Sequence, residues 1–277
     1  MKILFIGDIV GKPGRRTVAA ALPALRKEHD IDLVIANGEN MAHGRGITKS
    51  TLQEVFAAGV DIVTSGNHWF DQKEILEIIK DKSVPFIRPA NYPAGTVGDG
   101  YRITQVRTKK VLVINLMGKV FMHLDQLENP FTKLDAILKE TAEQKPDVVI
   151  VDFHADATSE AMAFSFYADG RITASLGTHT HVPTDDAMVL PKGSGHVADV
   201  GMVGPKLSVL GIAPEQIINH FLHDEPFKWE IPETGEMVFN YAIVEVSDKR
   251  ADSASNGSAG VQLCKKIERH TQIVTLK

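Results

Sequence analysis

Short apolar runs alternate with helical periodicities along residues 1–80. Residues 2–7 predict a buried strand, and residues 14–28 a helix rich in Ala, Leu and Arg. A second strand is expected at 31–36, a helix over 49–58, a short strand at 60–64 and a helix over 72–80. Strands separated by helices pair in parallel, and the helices cover the sheet. The pattern then changes. Tyr101–Val106 and the run 111–116 flank a charged turn at 108–110, which predicts a hairpin. A helix over 131–143 precedes a β-branched run at 147–151, and a helix over 158–168 leads to a strand at 172–176. Two long strands are expected at 237–246 and 261–270, joined by a polar Gly/Ser-rich loop at 247–260. No repeat and no linker divides the chain, so one domain is expected over 1–277. The fold class is α/β, a two-layered or sandwiched domain.

Composition sets limits on this picture. With 277 residues, 43% of them hydrophobic and 23% charged, the chain can bury its own core. The net charge is −5, from 30 basic and 35 acidic residues, and no basic block suggests a membrane surface or a nucleic-acid groove, although RNA remains open. An anionic substrate would need local positive charge, which bound metal ions supply. The single cysteine, Cys264, excludes an intrachain disulfide and fits a reducing, cytoplasmic setting. The first apolar run is shorter than the roughly 7–15 residues of a signal core. No stretch approaches the ~20 apolar residues of a membrane span.

Candidate chemistry gathers just after the predicted strands. Asp8 follows the first, Glu39 and Asn40 the second, Asn67 and His68 the third; His154 follows the run at 147–151, and His179 and His181 follow the strand at 172–176. Sites in α/β sheets form beyond the carboxyl ends of strands. If the Gly177-Thr178-His179-Thr180-His181 stretch is extended, its two imidazoles point the same way. Each residue alone has an ordinary structural reading: a cap or turn for Asp8, a solvated loop for Glu39-Asn40, a tight turn for Asn67, packing beside Trp69 and Phe70 for His68, a core histidine for His154. Their shared address favours a common role. Asp8, Glu39, Asn67, His154, His179 and His181, with Asn40 as a further donor, exceed the three protein ligands of a catalytic zinc site. A pair of ions about 3.5–4 Å apart, bridged by one carboxylate, would use them all. An imidazole, carboxylate and amide set without thiolate suits Fe or Mn, and also Zn. Gly11-Lys12-Pro13-Gly14 lacks the ending of a phosphate-binding P-loop and reads as a turn that starts the next helix. His196 and Asp199 are expected in a loop near the His179/His181 turn, with Asp199 supporting it.

These motifs resemble the calcineurin-type metallophosphoesterases, whose pattern runs Asp-x-His, Gly-Asp, Gly-Asn-His, a lone His, then Gly-His-x-His. Here the first motif reads Asp8-Ile9-Val10, Glu39 stands at the bridging position, and Thr178 is inserted in the last motif. Those departures resemble the YmdB-like branch, as do Gly7-Asp8-Ile9-Val10-Gly11-Lys12-Pro13-Gly14, Asn37-Gly38-Glu39-Asn40, the run 115–122 and the run 198–205. The resemblance implies a metallophosphoesterase-like α/β sandwich of mixed β-sheets flanked by helices and two metal ions, one held by Asp8, Glu39, Asn40 and His181, the other by Glu39, Asn67, His154 and His179. Asn40 would take the place of the histidine missing at Val10. It further implies a phosphodiesterase for 2′,3′-cyclic and 3′,5′-cyclic nucleotides, in which a water bridging the metals attacks phosphorus and His68 acts as general acid. Two other readings compete: a metal-dependent amidohydrolase, which also uses His-x-His, and a non-enzymatic or slow regulatory protein that binds metal or nucleotide and acts through partners. A base-stacking role for Trp69, Tyr92 or Tyr167 is less expected than packing, and the long terminal strands suggest a homo-oligomer edge.

Overall fold

The structure, a computed structural model, describes all residues except 225, 227–229 and 252–259. Its first half contains β1 (Lys2–Ile6), β2 (Asp8–Ile9), α1 (Gly11–Glu28), β3 (Leu33–Asn37), α2 (Lys49–Ala57), β4 (Ile62–Thr64), α3 (Ile75–Ile78), β5 (Tyr101–Val106), β6 (Lys109–Met117) and α4 (Pro130–Glu140). The second half contains β7 (Val148–His154), α5 (Thr158–Ala168), β8 (Ala174–Thr178), β9 (Met188–Val189), β10 (Gly195–Val197), β11 (Met202–Pro205), α6 (Pro214–His223), β12 (Gly235–Arg250) and β13 (Gln262–Leu276).

Two mixed sheets result. The first runs β2-β11-β12-β1-β3-β4, with β13 also paired to β12. β1 lies parallel to β3 on one side and antiparallel to β12 on the other, with Phe5 opposite both Ile35 and Ala242. The second sheet runs β5-β6-β7-β8-β10-β9. Its centre is parallel from β6 to β10, and antiparallel β5 and β9 close its edges.

The period-2 alternation of strands explains why these runs are apolar throughout. Ile3 and Phe5 of β1, Leu33 and Ile35 of β3, Val111 and Val113 of β6, and Val148 and Ile150 of β7 meet between the sheets. The intervening Leu4, Ile6, Val34 and Ala36 face away from that core, against Val18, Leu22 and Leu25 of α1 and Leu52 and Val55 of α2. Likewise Leu112, Ile114, Val149, Val151 and Phe153 pack on Leu134 and Ile137 of α4 and on Ala161 and Phe164 of α5. Both faces of each central strand are therefore buried, which requires continuous hydrophobic sequence. The architecture is helix, sheet, sheet, helix, as expected from the alternation of elements.

Several boundaries differ from the sequence reading. The expected helix over 72–80 contracts to α3, with turns on either side. The segment 11–14 is already the first turn of α1, where Pro13 needs no intrahelical partner for a missing N–H. β7 extends to His154, so this histidine is the last residue of its strand rather than part of a loop. β8 starts two residues later than expected and ends at Thr178. The hairpin turn is tighter, because Val106 pairs with Lys109 around Arg107 and Thr108. β12 continues to Arg250, and residues 252–259 of the expected 247–260 loop lie outside the described residues. β9, β10 and β11 were not expected; they are too short to show a period.

Candidate metal centre

The candidate residues meet where the strands of both sheets end. β1 and β2 deliver Asp8, the turn after β3 delivers Glu39 and Asn40, and the turn after β4 delivers Asn67 and His68. The second sheet contributes His154 from β7 and His179 and His181 from the turn after β8. The last two side chains sit on backbone in the left-handed region, with φ of 117° at His179 and 64° at His181. Such conformations in non-glycine residues persist where surrounding contacts over-determine them.

The donors converge on Glu39 and His154. His154 Nε2 lies 3.3 Å from Glu39 Oε1, 3.0 Å from Asn67 Oδ1 and 3.0 Å from His179 Nδ1. Among the described residues, Glu39, His154 and His179 form the group whose metal-competent atoms all lie within 4.8 Å of one another. On the other side of Glu39, Asn40 Nδ2 is 3.2 Å from Glu39 Oε1 and 3.0 Å from His181 Nε2. Asp8 joins through Oδ2, which accepts the His179 N–H at 3.1 Å. Its other oxygen, Oδ1, is buried without any hydrogen-bond partner. Val10, where a histidine would stand in the wider superfamily, packs toward Gly204 and Gly211 instead.

Supporting contacts orient these groups. His181 Nδ1 donates to the Leu210 carbonyl at 3.0 Å, which leaves Nε2 facing the centre. Asp199 Oδ2 accepts from the Thr180 N–H and hydroxyl, both at 2.8 Å, so it supports the turn as expected. His196 does not belong to that loop. It is buried in β10 and meets Ser165 Oγ at 2.7 Å and Asp186 at 3.2 Å, a core histidine satisfied by hydrogen bonds. Trp69 and Tyr92 are buried in an aromatic cluster, and Tyr167 bonds Asp135 on the far helices.

The electrostatics favour a cation here. Burial alone would lower the His154 pKa, but Glu39, Asp8 and Asp152 outweigh it and push it up to about 9. Burial also opposes ionisation of Glu39, yet His154 holds its carboxyl well below the usual range. Burial, with Asp199 and Glu39 adding to it, drives Asp8 well above its ordinary value. His179 is pulled down to about 3 by burial and then by His154, so it is neutral and ligand-competent at physiological pH. An orphaned Asp8 oxygen, the neutral His179 imidazole and enough negative charge to hold a proton on His154 fit a divalent cation that would take that proton's place.

One glycine is required by this geometry. A Cβ on Gly66 would fall 2.1 Å from His154 Nε2 and 2.4 Å from Glu39 Oε2. Gly66→Ala is therefore expected to displace both side chains and lower metal content and turnover together. The loss should reach at least the roughly 10–100-fold typical of disturbing a ligand's support. Elemental analysis and an initial-rate assay of the purified variant check it; wild-type values for both would contradict the geometry.

His68 stands beside the cluster rather than in it. Its N–H donates to Glu39 Oε2 at 3.1 Å, its Nε2 faces Asn67 Nδ2 at 3.1 Å, and its Nδ1 is 2.9 Å from Asp71 Oδ2. Arg45 Nε lies 3.8 Å from the same Asp71 oxygen. Sequence reading missed Asp71, although its spacing three residues after His68 is the signal that would have found it. It also missed Asn37, Asp152 and Thr178, which lie behind His154. The Leu210 carbonyl leaves no side-chain signal at all.

A family model described as YmdB-like protein matches residues 4–256. The 2′,3′-cyclic-nucleotide 2′-phosphodiesterase of Bacillus subtilis is 42% identical over 250 residues, covering 90% of this chain and 92% of that protein. A crystal structure of a hypothetical protein from Thermus thermophilus superposes with a TM-score of 0.86 at 39% identity, covering 99% of both chains. That of a novel phosphatase from Mycoplasma pneumoniae has a TM-score of 0.86 at 33% identity, covering 99% of this chain and 93% of that one. With a family model matching residues 4–256 and a relative 42% identical over 90% of its length, the chain belongs to the YmdB-like family.

Proposed function

We propose that this chain is a metal-dependent phosphodiesterase that hydrolyses cyclic nucleotide phosphodiesters, 2′,3′-cyclic and 3′,5′-cyclic, at a dinuclear centre. The convergence of carboxylate, amide and imidazole donors on Glu39, with His68 at its side, carries the reading. The activity named for the Bacillus subtilis relative supports the substrate class. Asp8, Glu39, Asn40 and His181 would hold one ion, and Glu39, Asn67, His154 and His179 the other. The thiolate-free donor set favours Fe or Mn. When bound, such ions polarise the phosphoryl oxygens and make an attacking water acidic at neutral pH.

The chain's own residues supply the rest. His68 Nδ1 is committed to Asp71, so Nε2, which here accepts from Asn67 Nδ2 at 3.1 Å, is the nitrogen that would exchange that contact for a proton and pass it to the leaving oxygen. Asp71 keeps the ring in that orientation. Glu39 accepts the His68 backbone N–H, tying the acid to the metal-holding carboxylate. Burial of Asp8, Glu39 and His154, each 1% exposed or less, keeps competing solvent from the donors.

Turnover of bis-p-nitrophenyl phosphate and of cyclic nucleotides, with Mn²⁺ added and with chelator, tests the proposal. Chelator-sensitive hydrolysis of both is the expected result. Nucleotide binding without hydrolysis would instead favour the regulatory reading. No described helix is long and apolar enough to cross a membrane.

A further inference from the structure

We infer that Asn37, Asp152 and Thr178 form a buried relay that fixes which nitrogen of His154 faces the metal centre and ties the Glu39 loop to it. The inference rests on the metal-centre reading above and assigns the three as positioning residues. Thr178 is the residue inserted between the glycine and first histidine of the last motif, and it ends β8 directly beside His154.

All the participants are fully buried. Asp152 Oδ1 accepts the Thr178 hydroxyl proton at 2.7 Å, while Oδ2 accepts from the Asn37 amide at 3.1 Å and from the Thr64 hydroxyl. An ionised carboxylate only accepts, and a threonine hydroxyl has one proton to give. With that proton pledged to Asp152, Thr178 Oγ1 can only accept from His154, whose Nδ1 lies 2.9 Å away. His154 must then carry a proton on Nδ1, and its Nε2 faces Glu39, Asn67 and His179. A hydroxyl that turned the other way would leave the wrong tautomer in the site.

The Asn37 amide joins the two halves. Its Nδ2 is also 3.2 Å from Thr178 Oγ1 and 3.3 Å from the Ser65 carbonyl, and its Oδ1 accepts the Glu39 N–H at 3.1 Å. One side chain thus connects the backbone of the shared carboxylate to the relay behind His154. Among the described residues, every hydrogen-bond donor to the Asp152 carboxylate is neutral. A buried carboxylate needs a countercharge. For Asp152 that charge lies along the line through Thr178 and His154 toward the centre. Carboxylate–histidine–metal chains of this kind raise ligand basicity and hold ring orientation; here a hydroxyl is interposed.

Three variants test the relay: Thr178→Val, which keeps shape and loses the hydroxyl; Thr178→Ser, which restores it; and Asp152→Asn, whose amide can donate and reverse the hydroxyl. Each is metal-stripped, and its Mn²⁺ affinity is measured by competition with a fluorescent chelator, beside its melting temperature. Thr178→Val and Asp152→Asn are expected to weaken Mn²⁺ binding by about 10–100-fold, and Thr178→Ser to restore it. A purely structural role would lower the melting temperature and leave the affinity of the folded protein unchanged. Wild-type affinity in folded Thr178→Val, or no recovery in Thr178→Ser, overturns the relay alone. If Thr178→Val does not fold, Asp152→Asn decides by the same reading. A wild-type chain that takes up no Mn²⁺ overturns the metal-centre reading and the relay with it.

Discussion

Glu39→Ala is expected to lose bound metal and to reduce phosphodiester turnover by more than the roughly 100-fold that marks the upper range for disturbing a ligand's support. Among the described residues, Glu39 is the carboxylate that touches both the His154 side and the Asn40 side of the cluster. Its Oε1 lies 3.3 Å from His154 Nε2 on one side and 3.2 Å from Asn40 Nδ2 on the other. Its second oxygen accepts the His68 N–H. Removing it leaves Asp8 as the remaining carboxylate among the donors, and weakens the attraction that holds His154 in line. The loss should not be rescued by excess Mn²⁺, because the proposed two-ion scheme would then lack its bridging carboxylate. Elemental analysis of purified protein, beside initial rates on bis-p-nitrophenyl phosphate, measures both effects. Two equivalents of metal retained per chain would exclude the ligand assignment.

His68→Ala should behave differently, keeping its metal but losing about 10²–10⁴ in kcat. The distinction follows from geometry: His68 touches Asn67 and Asp71 with its ring and Glu39 only through its backbone. Alanine preserves that backbone N–H. Asp71→Asn should fall between wild type and His68→Ala, since the ring remains but its Nδ1 partner no longer carries full charge. The effect should also shrink for substrates with acidic leaving groups, which need less protonation. Comparing bis-p-nitrophenyl phosphate with a cyclic nucleotide reads this directly. Normal turnover of both by His68→Ala would remove the acid assignment while leaving the metal centre untouched.

Much of the site was legible because its donors obey a local rule. Asp8, Glu39, Asn67 and His179 each follow an apolar run closely enough to be assigned to a strand end, and the structure places them together. His154 was legible as a residue and misplaced by one element, because Asp152 and His154 interrupt the apolar run that the strand continues through. The relay behind it was invisible for a related reason. Asn37, Asp152 and Thr178 are polar residues that lie 26 to 141 positions from one another in sequence, and no local spacing encodes such pairings. The helical layers and the inter-sheet core followed from periodicity. The short strands β9, β10 and β11 did not, since strands of four residues or fewer carry no measurable period.

The placement of β12 has a consequence for synthesis. β1 is completed on one side by β12, more than two hundred residues later, and the segment leading to Asp8 hangs on the same strand: Gly7 donates to the Asn240 carbonyl. All the candidate donors lie at or before His181 and leave the ribosome before β12 (Gly235–Arg250) is made. At roughly 5–20 residues per second, several seconds separate the last donor from the strand that seats the first. During that interval the nascent chain holds an incomplete centre and an open edge on β1, the situation in which strands pair with the wrong neighbour. Maturation of the metal site is thereby deferred until the late hairpin arrives.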